Sequence, residues 1–325
     1  MALLVSAQQL TLICNMPSLT YYLTASVIKL KGLKKTFAGS PIDYAKLRRD
    51  DVHVPTSRHT LGQEFRTVKA GLATLTEILP ATVSQPDVAV LYCPGGAFVY
   101  GPTEINWHSI ARLAQQTQLT AYLVDYPKAP ENQIGALNRS LDDAYAHLLT
   151  RYAARNIILI GDSVGGTLLT LLVQRLLQRA VAELPNSLIL VSPVADASMT
   201  NPAILSLDQQ DIMLATAGVL SAKRMCAGPL SLRSSDISPL YGSFEGFVPT
   251  YLFIAERDIT RPDEELLAQK LMTAEVPLRV VRGAGMPHIW PLLPVMREAR
   301  QALDEIGKII RERASATKLS AVALG

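Results

Sequence analysis

The sequence predicts an α/β protein with a mostly parallel central sheet and helices on both of its faces. Two observations carry this. Six short apolar runs, at 88–92, 120–124, 157–160, 188–191, 250–255 and 278–281, alternate with helical periodicity at 106–118, 136–152, 165–182, 263–274 and 295–313. Strands covered on both faces read as continuous apolar runs, and buried strands separated by amphipathic helices build parallel sheets. The second observation is composition: 49% hydrophobic and 18% charged residues over 325 positions supply a large core and exclude a disordered chain.

The elements before the first apolar run need separate arguments. No charged residue occurs between Met1 and Ile28, yet Gln8, Gln9, Asn15, Pro17, Ser18, Thr20 and Thr24 interrupt the stretch, making it a poor bilayer span. The first lysine is Lys29, which leaves no positive region ahead of the apolar stretch, so we expect a helix of the fold rather than a signal peptide. Helical spacing over 19–33 ends in Lys29, Lys31, Lys34 and Lys35, a cluster that complements a helix C-terminus. Segments 64–69 and 72–79 are expected as antiparallel edge strands. The alternation breaks over 196–240, a methionine-containing stretch (Met199, Met213, Met225) with no clear strand. Open α/β sheets carry their chemistry beyond the carboxyl ends of the strands, so an insertion there lies above a site. The expected organisation is an N-terminal cap segment (1–60), a main α/β domain (61–195 and 241–325) and a cap insertion (196–240).

Several function classes fall away. A net charge of +3 gives no basis for nucleic-acid binding. Cys14, Cys93 and Cys226 are odd in number and widely spaced, which fits neither a disulfide framework nor a zinc site and favours a reducing cytoplasm. The sequence carries no phosphate loop and no dinucleotide fingerprint. Association into a homodimer is compatible with the sequence.

The chemistry lies in Gly161-Asp162-Ser163-Val164-Gly165-Gly166, between an apolar run and a long helical segment. G-x-S-x-G in strand–turn–helix context is a nucleophile elbow: small neighbours permit a tight, strained turn that holds the serine at a helix N-terminus, with the Val164 N–H facing the place where an oxyanion would form. A serine nucleophile needs a base and the base an orienting carboxylate, in the chain order serine, acid, histidine. His288 is the only histidine after Ser163; His53, His59, His108 and His147 precede it and read as surface or packing residues. Asp258, three residues past an apolar run, is the preferred acid, with Glu256 and Asp263 as alternatives. The loop Cys93-Pro94-Gly95-Gly96-Ala97-Phe98 follows the first run and could turn backbone N–H groups inward.

Five ordered segments resemble the α/β-hydrolase fold, hormone-sensitive-lipase-like esterase and lipase family: Pro94-Gly95-Gly96-Ala97-Phe98, Asp125-Tyr126-Pro127-Lys128-Ala129-Pro130-Glu131, Gly161 to Gly166, Asp258-Ile259-Thr260 and Gly285-Met286-Pro287-His288. The resemblance implies a serine carboxylesterase acting on small acyl esters through Ser163, Asp258 and His288, with the N–H groups of Gly96, Ala97 and Val164 as oxyanion donors and with no cofactor and no metal needed. Pro94 stands where the family has a loop histidine, and Ala97 where it has a third glycine. Ala97 and Val164 narrow the cleft, so a short acyl chain is expected. An amidase, a peptidase or an acyl-transferase would use the same triad, and a non-catalytic ligand-binding protein could keep the scaffold.

Overall fold

The computed structural model describes residues 9–13 and 17–322, with side chains from 17 to 316. Nine strands form one sheet: β1 Gln9–Ile13, β2 Glu64–Ala70, β3 Ala73–Leu79, β4 Ala89–Cys93, β5 Thr120–Asp125, β6 Ile157–Asp162, β7 Ser187–Val191, β8 Thr250–Ala255 and β9 Leu278–Gly283. Their spatial order is β1-β9-β8-β7-β6-β4-β5-β3-β2. All pairs are parallel except β2–β3 and β3–β5. Every residue of β4, β6 and β7 is buried, which is why 89–93, 157–160 and 188–191 read as unbroken apolar runs. β2 forms the mostly exposed edge, whereas β3 lies inside the sheet rather than at its edge.

The helices are α1 Leu19–Lys31, α2 Leu33–Phe37, α3 Tyr44–Leu47, α4 Glu104–Thr117, α5 Ile134–Leu149, α6 Val164–Arg179, α7 Ile204–Asp208, α8 Thr216–Ala227, α9 Arg261–Thr273 and α10 Arg297–Val322. α4 packs against α10, and α5 against α6, so the sheet is covered on both faces. Ser18 caps α1 by accepting the Tyr21 N–H, and Gly32, in the left-handed region at φ 66°, separates α1 from α2.

One expectation needs correction. The first 60 residues are not wholly a cap: Gln9–Ile13 pairs in parallel with β9 and extends the sheet. A short uncharged segment carries no local mark of that pairing, whose partner lies some 270 residues on. Residues 1–8 and 14–16, including Cys14, lie outside the described residues.

The remainder of the N-terminal segment meets the 196–240 insertion directly. The Ile42 N–H donates to Ser221 Oγ at 3.1 Å. Lys34 Nζ donates to the Asp208 and Asp211 carbonyls. Gly218 of α8 lies so close to Phe37 that an added Cβ would sit 2.2 Å from its carbonyl oxygen. Met199 and Met213 are buried, and Met225 packs against the core.

Candidate active site

Four loops at the carboxyl ends of β4, β6, β8 and β9 converge. Ser163 follows β6 and sits at φ 50°, ψ −127°, an unfavourable conformation for a residue with a side chain. Crowding leaves no room for a relaxed turn. A Cβ on Gly165 would lie 2.1 Å from the Cys93 carbonyl oxygen, so β4 and α6 touch backbone to backbone. Gly165→Ala is therefore expected to lose about 2–3 kcal/mol or more of stability through overpacking, read as a lower urea midpoint; an unchanged midpoint would contradict this contact.

Ser163, His288 and Asp258 come together. His288 Nε2 lies 3.0 Å from Ser163 Oγ, and His288 Nδ1 lies 2.6 Å from Asp258 Oδ2. His288 and Asp258 are buried, and Ser163 is 9% exposed. Burial alone would depress the His288 imidazole, but attraction and a hydrogen bond from Asp258, with further attraction from Asp211 and Asp162, leave its pKa raised. The two alternative acids lie elsewhere: Glu256 accepts the Gly285 N–H, and Asp263 accepts from Asn201 in the first turn of α9.

The loop after β4 turns sharply at Gly96, where φ is 115° and a Cβ would meet the Tyr100 carbonyl oxygen at 2.0 Å. Ala97 and Phe98 also have positive φ, at 51° and 66°. The Gly96 carbonyl accepts from Val99 and Tyr100 N–H groups at 2.9 and 3.0 Å. Among the described residues, the N–H groups of Gly96, Ala97 and Val164 have no protein acceptor. Without a loop histidine, other groups hold this turn. Asp162 Oδ1 accepts the Gly95 N–H at 3.1 Å and the Tyr92 hydroxyl, and Tyr126 Oη donates to the Pro94 and Gly95 carbonyls at 3.0 and 3.1 Å. Burial pushes the Asp162 carboxyl up to about 6.

Sequence reasoning missed Asp211. This buried carboxylate accepts N–H bonds from Met213 and Leu214 at 2.7 and 2.8 Å, and from Ile259 at 3.2 Å. It thus ties the 196–240 insertion to the loop carrying Asp258. Burial, then repulsion from Asp258, pushes the Asp211 carboxyl upward. Thr260 contributes on the other side: its N–H donates to Asp258 Oδ1 at 2.9 Å, and its hydroxyl to the buried Glu264 at 2.6 Å. Ser192 was missed as well; its Oγ accepts the N–H of Ile289, beside His288, at 3.2 Å. The Asp-Ile-Met-Leu run of residues 211–214 holds the one local signal, an aspartate whose side chain can cap the N–H groups two and three residues on. Val194, Ala195, Asp196, Met199, Lys223, Thr260 and Asp263 border a crevice too tight to hold a water molecule. Burial pulls the Lys223 ammonium down to about 8, against attraction from Asp263, Asp196 and Asp258.

Comparison with known proteins agrees with the fold. The chain is 28% identical to an esterase of Acinetobacter venetianus, over 67% of this chain and 73% of that protein. It is 31% identical to the carboxylesterase/phospholipase LipF of Mycobacterium tuberculosis, over 72% of this chain and 64% of the other. The crystal structure of an esterase from the bacterial hormone-sensitive lipase family superposes with a TM-score of 0.80 at 22% identity, covering 92% of this chain and 99% of that one, a likeness of fold. The sequence profile of the α/β-hydrolase fold matches residues 90–292, which include Ser163, Asp258 and His288. This chain belongs to the α/β-hydrolase fold family.

Proposed function

We propose that this protein is a serine carboxylesterase that hydrolyses small, short-chain acyl esters through an acyl-enzyme. The observation that carries the reading is the relay from buried Asp258 through His288 to Ser163, 2.6 and 3.0 Å long, ending on a strained serine at a helix N-terminus. Ser163 Oγ attacks the ester carbonyl as His288 Nε2 takes its proton, and Asp258 holds the imidazole tautomer and stabilises the imidazolium. The N–H groups of Gly96, Ala97 and Val164 receive the oxyanion; a single donor of this kind is worth about 3–4 kcal/mol. Collapse of the tetrahedral intermediate breaks the ester C–O bond, and His288 gives its proton to the departing alcohol. Water then repeats the sequence on the acyl-Ser163 ester, releasing the acid.

The relatives named above as esterases support the reaction class. The N-terminal segment other than β1, together with residues 196–240, acts as a cap over the catalytic domain of 61–195 and 241–325. Free, buried Cys93 and Cys226 fit a cytoplasmic protein. The short-chain reading rests on the Cβ of Ala97, held at φ 51°, and the β-branched, buried Val164 as residues that narrow the cleft. Turnover of p-nitrophenyl acetate is therefore expected to exceed that of the octanoate; a clear preference for the octanoate would overturn the short-chain reading. Parallel assays with anilides and alcohol acceptors separate amide hydrolysis and acyl transfer from ester hydrolysis. A fluorophosphonate adduct on Ser163 separates all three from a non-catalytic binding protein.

A further inference from the structure

α1 buries one side and leaves an apolar face in water. Tyr21 and Ala25 are buried, and Ile28 packs against the core. The opposite face carries Leu19, Tyr22, Leu23, Val27 and Leu30, which are 83, 57, 64, 51 and 86% exposed. Their three- and four-residue spacing makes one stripe along the helix, interrupted only by exposed Ser26, whose hydroxyl donates to the Tyr22 carbonyl. A helix that is apolar all round is ordinarily buried on every side, and a surface helix ordinarily turns a polar face outward. Contiguous apolar patches on the order of several hundred Å² mark interaction sites.

Charge indicates what covers this face. There is no aspartate or glutamate before Asp43, while Lys29, Lys31 and Lys35 are exposed around the end of the stripe. A second copy meeting the same face across a two-fold axis would bring lysines and no carboxylates from this segment to the contact. An anionic lipid surface supplies both missing partners: hydrocarbon for the stripe and negative charge for the lysines. No described helix is long and apolar enough to cross a membrane, so α1 would lie in the surface plane.

α1 is also fixed to the body of the protein. The Ser18 N–H and hydroxyl donate to Glu298 at 2.6 and 2.9 Å, and Thr20 Oγ1 accepts the Arg297 N–H at 3.0 Å. Pro17 lies against Gly285, in the loop that leads to His288, and Arg257, next to Asp258, donates to Tyr21 Oη at 3.4 Å. We infer that the outer face of α1 is a docking surface for anionic lipid bilayers, holding the loops of the candidate active site near the membrane. The docking itself requires no hydrolysis, so its test stands apart from the esterase reading.

The test is flotation of the full chain with vesicles of phosphatidylcholine alone or mixed with phosphatidylglycerol. The unaltered protein is expected to float with the mixed vesicles, and about tenfold less with phosphatidylcholine or at high salt. Leu23→Ser/Leu30→Ser is expected to reduce flotation about tenfold or more, and Lys29→Glu/Lys31→Glu/Lys35→Glu to abolish the preference for phosphatidylglycerol. All five side chains are exposed, and thermal melting by circular dichroism checks that the variants fold. The inference is overturned if the unaltered protein fails to float with the anionic vesicles, or if Leu23→Ser/Leu30→Ser, melting normally, floats equally well. Sedimentation provides a further arm: a dimer that the leucine changes dissociate, in a protein that does not float, assigns the face to a second copy and overturns lipid docking.

Discussion

Ser163→Ala is expected to slow p-nitrophenyl acetate hydrolysis at least about a thousandfold, and as much as about a millionfold where the chemical step limits turnover. The change removes a single atom, Oγ, whose partner is His288 Nε2 at 3.0 Å. It adds nothing to a crowded turn, so the elbow and its backbone donors persist. The remaining rate then measures what binding and oxyanion stabilisation do alone, typically about 10³–10⁴ over water. The comparison is kcat/KM for the two proteins, with matching circular dichroism and with fluorophosphonate labelling lost in the variant. An undiminished rate would remove Ser163 from the mechanism, whatever its strained geometry.

What could be read in the sequence was what depends on neighbours along the chain. Fully buried β4, β6 and β7 announce themselves because burial on both faces demands apolar residues along most of each strand. The elbow is legible for the same reason: its steric needs fall on five consecutive residues. Asp258 could be preferred by its distance past a strand end, but only the fold places Glu256 on Gly285 and Asp263 on Asn201. The rest depends on contacts distant in sequence. β1 borrows its identity from β9, and Asp211 acts on Ile259, 48 residues away. The outward face of α1 escaped because a periodicity of apolar residues on both sides does not say which side the core takes. The turn at Ala97 and Phe98 was hidden too, since neither residue favours the positive φ that the surrounding hydrogen bonds impose.

Asp258→Asn is expected to reduce kcat about 10⁴-fold while leaving the fold intact. The retained amide oxygen can still accept the Thr260 N–H, as Asp258 Oδ1 does at 2.9 Å. The atom facing His288 Nδ1 at 2.6 Å becomes an N–H donor, which favours the tautomer with its proton on Nε2 and removes the base from Ser163 Oγ. The same change has a pH signature. His288 works as a base only when neutral, so activity falls as pH drops through its folded pKa. Burial pulls that pKa down, but Asp258, assisted by Asp211 and Asp162, leaves it above the ordinary value of 6.5. The acid limb of kcat/KM in the unaltered protein should accordingly lie above 6.5. Without the Asp258 charge, burial acts against Asp211 and Asp162 alone, and the limb of the residual activity should shift toward lower pH. Glu264, Asp211 and Lys223 also interact electrostatically with Asp258, so the shift is best read at one ionic strength. A full pH profile of kcat/KM for both proteins decides the matter: an Asp258→Asn variant with the rate and acid limb of the original would show that Asp258 neither orients His288 nor sets its charge.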